Sequence, residues 1–91
     1  MTSETTNGAQ TTSPQAPIYP FDARGVAKRF RHAAIFGALE ALVPGETMRF
    51  INDHDPLPLL HQVAQHFGDT VSANYRQRTS EAVIIDFVKL G

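Results

Sequence analysis

A chain of 91 residues with 8 Lys or Arg, 9 Asp or Glu and no cysteine has the size of one domain and no thiol chemistry. Disulfide staples, a cysteine nucleophile, a persulfide carrier and Cys-type zinc sites are therefore excluded. A formal net charge of −1 argues against general nucleic-acid binding, which needs clustered Lys and Arg to displace counterions from phosphates.

The first segment, MTSETTNGAQTTSPQAP, holds no large apolar side chain after Met1, and a segment that buries nothing cannot offset its chain entropy. The expectation is a disordered tail over residues 1–17, followed by a single domain over residues 18–91. No basic start followed by an apolar run marks an export signal, so the expected location is cytoplasmic. Nor does any apolar stretch approach the roughly 20 residues that cross a bilayer, so no membrane span is expected.

Ile18 to Ala23, IYPFDA, is apolar and aromatic, ends before Gly25 and reads as a short strand, with Pro20 favouring a sheet edge. From Ala27 to Val43, residues Ile35, Phe36, Leu39, Leu42 and Val43 fall in one stripe at about 100° per residue. That stripe defines a first helix, stopped by Pro44-Gly45. Glu46 to Asn52 reads as a strand with Met48 and Phe50 on one face, Thr47 and Arg49 on the other, and Ile51 breaking the alternation. Pro56 to Phe67 forms a second helix, with Leu59, Leu60, Val63, Ala64 and Phe67 on one face and Gly68 as its closing residue.

The last third changes period. Thr70 to Arg78 puts Val71, Ala73 and Tyr75 on one side, and Ala82 to Leu90 puts Val83, Ile85 and Phe87 opposite Ile84, Asp86 and Val88. These two runs predict an antiparallel hairpin. The order is strand, helix, strand, helix, strand, strand, and a right-handed crossover makes the first two strands parallel neighbours. The expected fold is an α/β (α+β) two-layer sandwich, β-α-β-α-β-β, with a four-stranded mixed sheet and two helices on one face.

In such a sheet the carboxyl ends of the two parallel strands lie side by side, and ligands bind there beside helix N-termini. Asp22 and Arg24 come from the first strand end, and the run Asn52-Asp53-His54-Asp55 from the second. His32, one turn into the first helix and within its apolar stripe, points toward the same edge. The candidate ligand-binding residues are Asp22, Arg24, Asn52 and Asp55, and the candidate metal ligands are His32 and His54. Imidazoles with carboxylates suit a transition metal such as Zn, Fe, Mn or Ni, although no His-x-x-x-His spacing occurs.

Structural roles compete with these. Asp55 before Pro56 makes a good helix N-cap, and Asn52 and Asp53 can close a turn onto the backbone. His32 can be a core-edge histidine bonded to a carbonyl or to Asp22. His54 has no such role, because a cap needs neither an imidazole nor its titration near neutrality. Lys28, Arg29 and Arg31 form a basic helix start, where the dipole prefers negative charge, so they face either an anion or solvent. His61 and His66, five apart, read as surface residues.

The stretches FDARGVAKRFRHAAIFGALEAL and PGETMRFINDHDPLPLLHQ resemble an uncharacterised bacterial and archaeal family, a domain of unknown function similar to the TusA sulfur-carrier fold. The resemblance covers about Phe21 to Leu90, with NDHDP followed by PLL as its most specific feature. It implies a TusA-like two-layer sandwich, occurring alone or joined to hemerythrin-like, iron-binding domains. TusA-like carriers have a motif Asp-x-Arg-Gly-Leu-x-Cys-Pro; here Asp22, Arg24 and Gly25 match, while Lys28 and Arg29 stand at the Cys and Pro positions. Sulfur transfer is thereby lost, and Asp22, Arg24, Gly25, His32, Asn52, His54, Asp55 and Pro56 remain as the motif positions.

The expected function is a small non-enzymatic binding module with a metal or small-ligand site at the strand-helix edge, accessory to a redox or iron-containing partner such as a hemerythrin-like protein. The alternative is a protein-protein interaction or dimerisation domain using the helix-free sheet face, which carries Arg49, Ile84, Asp86 and Val88. An enzyme would need His54 or His32 as general acid or base, oriented by Asp55 or Asp22.

Overall fold

The computed structural model describes residues 17–91. The tail expected over 1–17 lies outside the described residues except for Pro17, whose carbonyl accepts from Thr47 N–H at 3.2 Å. Four strands and two α-helices follow: β1 (Ile18–Asp22), α1 (Lys28–Ala41), β2 (Thr47–Asn52), α2 (Leu57–Phe67), β3 (Val71–Arg78) and β4 (Val83–Lys89). No described helix is long and apolar enough to cross a membrane.

The strands form one mixed sheet in the order β1-β2-β4-β3. β1 runs parallel to β2, from Ile18 opposite Thr47 to Asp22 opposite Ile51. β4 inserts antiparallel between β2 and β3, pairing Met48 with Phe87 and Phe50 with Ile85, then Ala73 with Phe87. Because side chains alternate across a sheet, this register aligns Met48, Phe50, Val83, Ile85 and Phe87 on one face. All five are buried with Ile35 and Leu39 of α1 and Val63 of α2, so both helices cover that face and the expected two-layer sandwich forms. Val43, expected on the helical stripe, is 56% exposed. It lies beyond the end of α1, where its N–H is taken by Glu46 Oε1 at 2.9 Å, so the 3.6-residue period no longer carries it inward.

Long-range contacts complete what local sequence leaves open. α1 has no basic residue in its last turn; instead Lys89, at the end of β4, donates from Nζ to the carbonyls of Leu39 (2.8 Å) and Leu42 (3.0 Å). A cation from another element thus satisfies orphan carbonyls and the helix dipole. α2 ends on Gly68 with φ +57° and ψ −129°, a conformation open to glycine and strained for other residues. In β3 the register shifts between Tyr75 and Gln77, and the extra residue places Tyr75 and Arg78 on the same face, which a regular strand would put on opposite faces.

On the helix-free face, Arg49 makes a bidentate pair with Asp86 (2.9 and 3.0 Å), and Arg76 lies 3.8 Å from the same carboxylate. Asp86 is 8% exposed. Half-buried Ile51, Ile84 and Val88 surround this pair.

Candidate functional site

β1 ends at Asp22 and turns through a short 3-10 segment, Ala23–Gly25, which Asp22 caps by accepting from Arg24 N–H at 3.1 Å. The Arg24 guanidinium closes on the same carboxylate with two bonds of 2.8 Å. These bonds hold the Asp22 carboxyl at about 2, below its ordinary 3.8, and the two half-exposed side chains neutralise each other.

β2 ends at Asn52, on the same face as Phe50. Its side chain is 3% exposed and donates from Nδ2 to the His54 carbonyl at 3.1 Å, which shapes the turn leading to α2. Its Oδ1 is buried with no hydrogen-bond partner among the described residues. Buried side-chain oxygens nearly always have one, so this atom marks a place with unmet bonding capacity. Next to it, His54 Nδ1 lies 2.7 Å from Asp53 Oδ1, and this contact lowers the Asp53 pKa, with the more distant charge of Arg31 adding to it. Asp53, and neither Asp22 nor Asp55, is thus the carboxylate that orients His54.

Asp55 does not cap α2. The residue at the cap position is Pro56, without a side-chain bond, and the Asp55 carboxylate turns to β3, accepting from Tyr75 O–H (2.6 Å) and Arg78 Nε (2.8 Å). The β3 bulge makes this possible by aligning the two donors. Asp55 pushes the Tyr75 phenol up from its ordinary value, first through that hydrogen bond. The same carboxylate anchors the β2-α2 loop to the edge strand.

A cavity of about 200 Å³ opens at this end of the sheet, under the first turns of both helices. Lys28, Arg31, His32 and Ile35 line it from α1, at the spacing of one helix face. Phe50 and Asn52 form the wall from β2, and His54, Leu59 and Gln62 close the far side. Of the candidate ligand-binding and metal residues named from the sequence, His32, Asn52 and His54 meet here; Asp22 and Arg24 form their own pair, and Asp55 belongs to the loop anchor. His32 is exposed and stacks on Phe36 at 4.4 Å between ring centres; it is not the core-edge histidine bonded to Asp22 that the stripe allowed.

Sequence reasoning left Gln62 out. A polar residue one turn after Leu59 on an amphipathic helix carries no local signal, and only the approach of α2 to α1 brings it to the cavity. Lys28 and Arg31, by contrast, were signalled by their position at a helix start. The donor set does not suit a metal: two imidazoles and no carboxylate line the cavity, and no three His, Asp or Glu among the described residues converge on one point.

The model of one protein family, described as "Uncharacterized conserved protein (DUF2249)", matches residues 20–89. No curated protein and no solved structure gives a significant match. The matched span takes in both helices, the strand ends that flank them and every residue that lines the cavity. The chain therefore belongs to the DUF2249 family.

Proposed function

We propose that this domain is a non-enzymatic binding module whose ligand site is the cavity between the starts of α1 and α2 and the end of β2. The observation that carries the reading is the Asn52 side chain, 3% exposed, lining a cavity while its Oδ1 has no partner among the described residues. Leaving such an atom unpaired costs about 1–3 kcal/mol; the atom is shielded from solvent, so a ligand recovers that cost by drawing the Asn52 amide toward the cavity. An apolar wall with a few converging polar groups is the usual construction of a small-molecule site, and this one sits where open α/β sheets place their ligands. A cytoplasmic setting belongs to the same proposal, as do a TusA-like architecture and service to a redox or iron-containing, hemerythrin-like partner, which rest on the sequence resemblance alone.

Three probes of one shape test it: benzamide, benzoate and benzylamine, titrated against isotope-labelled protein. Binding at the cavity shifts the Asn52 side-chain amide together with the His32 and His54 ring signals. If none of the three moves these signals, the cavity is not a ligand site.

The second reading is self-association through the helix-free face, favoured by the half-buried Ile51, Ile84 and Val88. The partly buried Arg49–Asp86 pair at the centre of that face makes it less apolar than a stable dimer interface. Sedimentation across a wide concentration range decides the matter, and a strict monomer removes this reading.

A further inference from the structure

We infer that the ligand of this cavity is a small organic acid carrying a hydrogen-bond donor beside an apolar body, an inference that rests on the cavity being the binding site.

The acidic group follows from how charge is shared at this end of the sheet. Each nearby carboxylate already has a cationic or imidazole partner: Asp22 with Arg24 at 2.8 Å, Asp55 with Arg78 at 2.8 Å, and Asp53 with His54 at 2.7 Å. Lys28 and Arg31 line the cavity and make no ion pair among the described residues. Arg31 is held in place by donating from Nε to the Val26 carbonyl at 2.8 Å, which leaves the rest of its guanidinium for a ligand. Both cations sit in the first turn of α1, whose cap residue Ala27 offers no side-chain bond and whose first turn has no acidic residue. Two cations against the positive end of a helix dipole destabilise the empty protein, and an anion reverses the sign of both effects.

The donor follows from Asn52. Its Nδ2 is committed to the His54 carbonyl, and the unpartnered Oδ1, shielded from solvent beside the cavity, accepts a hydroxyl or N–H group once the side chain swings toward the ligand. The apolar body follows from Ile35, Phe50 and Leu59, which line the same space. At about 200 Å³ the cavity is smaller than the roughly 300–1,000 Å³ of clefts that hold drug-sized ligands. The match is an acid with one small apolar group, and not a nucleotide.

Mandelate carries all three features. Phenylacetate lacks the hydroxyl, mandelamide lacks the charge, and inorganic phosphate lacks the apolar body. The affinity of each for the 91-residue protein is measured by titration calorimetry with NMR localisation at Asn52. Mandelate is expected to bind at least fivefold more tightly than phenylacetate or mandelamide. Lys28→Gln and Arg31→Gln are each expected to weaken both acids about three- to tenfold while leaving mandelamide unchanged. Asn52→Ala, which removes the acceptor and leaves the cavity open, is expected to abolish the preference of mandelate over phenylacetate.

If mandelamide equals mandelate and neither charge-removing variant matters, the acid is wrong while the cavity stands. If phosphate binds as tightly as mandelate, the organic body is wrong. If benzylamine alone shifts the cavity signals, the charge assignment is overturned and the site survives. If no probe moves Asn52, His32 or His54, the site and the ligand class fall together.

Discussion

Replacing Asn52 by leucine separates a residue kept for binding from one kept for stability. Among the described residues Asn52, 3% exposed, makes one side-chain hydrogen bond of 3.1 Å to the His54 carbonyl and leaves Oδ1 unpaired. Losing the bond costs about 0.5–1.5 kcal/mol, and removing the buried unpaired acceptor returns about 1–3 kcal/mol. The larger leucine extends into the adjoining cavity, so overpacking is not forced and its added methyl surface contributes a further few tenths. The balance is a stabilisation of about 1 kcal/mol, a rise in Tm of about 4–8 °C for a domain of this size. Urea unfolding followed by circular dichroism reads it as a higher midpoint at unchanged slope. A loss of about 2 kcal/mol or more would refute the reasoning, because it would mean that the Oδ1 atom is satisfied in solution and that Asn52 is a structural residue.

Asp22→Asn tests the strand-end pair: Asp22 titrates at about 2 when folded, against an ordinary 3.8. The unfolded chain therefore binds the extra proton between these values, so the contribution is present above about pH 4 and lost as pH falls toward 2. The Tm difference between wild type and variant is expected to shrink across that window, and a constant difference would contradict it. Gly68→Ala places a side chain at φ +57° and is expected to cost about 1–2 kcal/mol in urea unfolding, with no loss refuting the strain. Asp86→Ala strips the helix-free face of the carboxylate that Arg49 grips in a bidentate pair, and a drop in Tm of several degrees is expected. The double change Arg49→Met with Asp86→Leu is expected to restore Tm and to promote dimerisation in sedimentation, since it joins Ile51, Ile84 and Val88 into one apolar stripe. A monomeric double variant would show that this face does not self-associate even with an apolar centre.

The sequence by itself determined the elements and their order, because both are local. Periodicity placed Met48 and Phe50, and Val83, Ile85 and Phe87, on inward faces, and every one of these is buried. Pro44-Gly45 and Gly68 marked helix ends because backbone geometry at those residues depends on little beyond the residues themselves. From that order the parallel β1-β2 pair followed, and with it the end of the sheet where the cavity lies.

Only the tertiary structure decided which polar residues share that end. Asp55 looked like a helix cap, yet Tyr75 and Arg78 take its carboxylate from 20 and 23 residues away, through a bulge that no local pattern announces. Asp22 was bound by its own neighbour Arg24, which removed both from the cavity. Among the described residues Lys28 and Arg31 kept no carboxylate, and Gln62 entered only because α2 lies beside α1. Backbone conformation answers to nearby residues, whereas the pairing of charges is a competition among all groups that folding brings together, and its outcome is settled by distance in three dimensions.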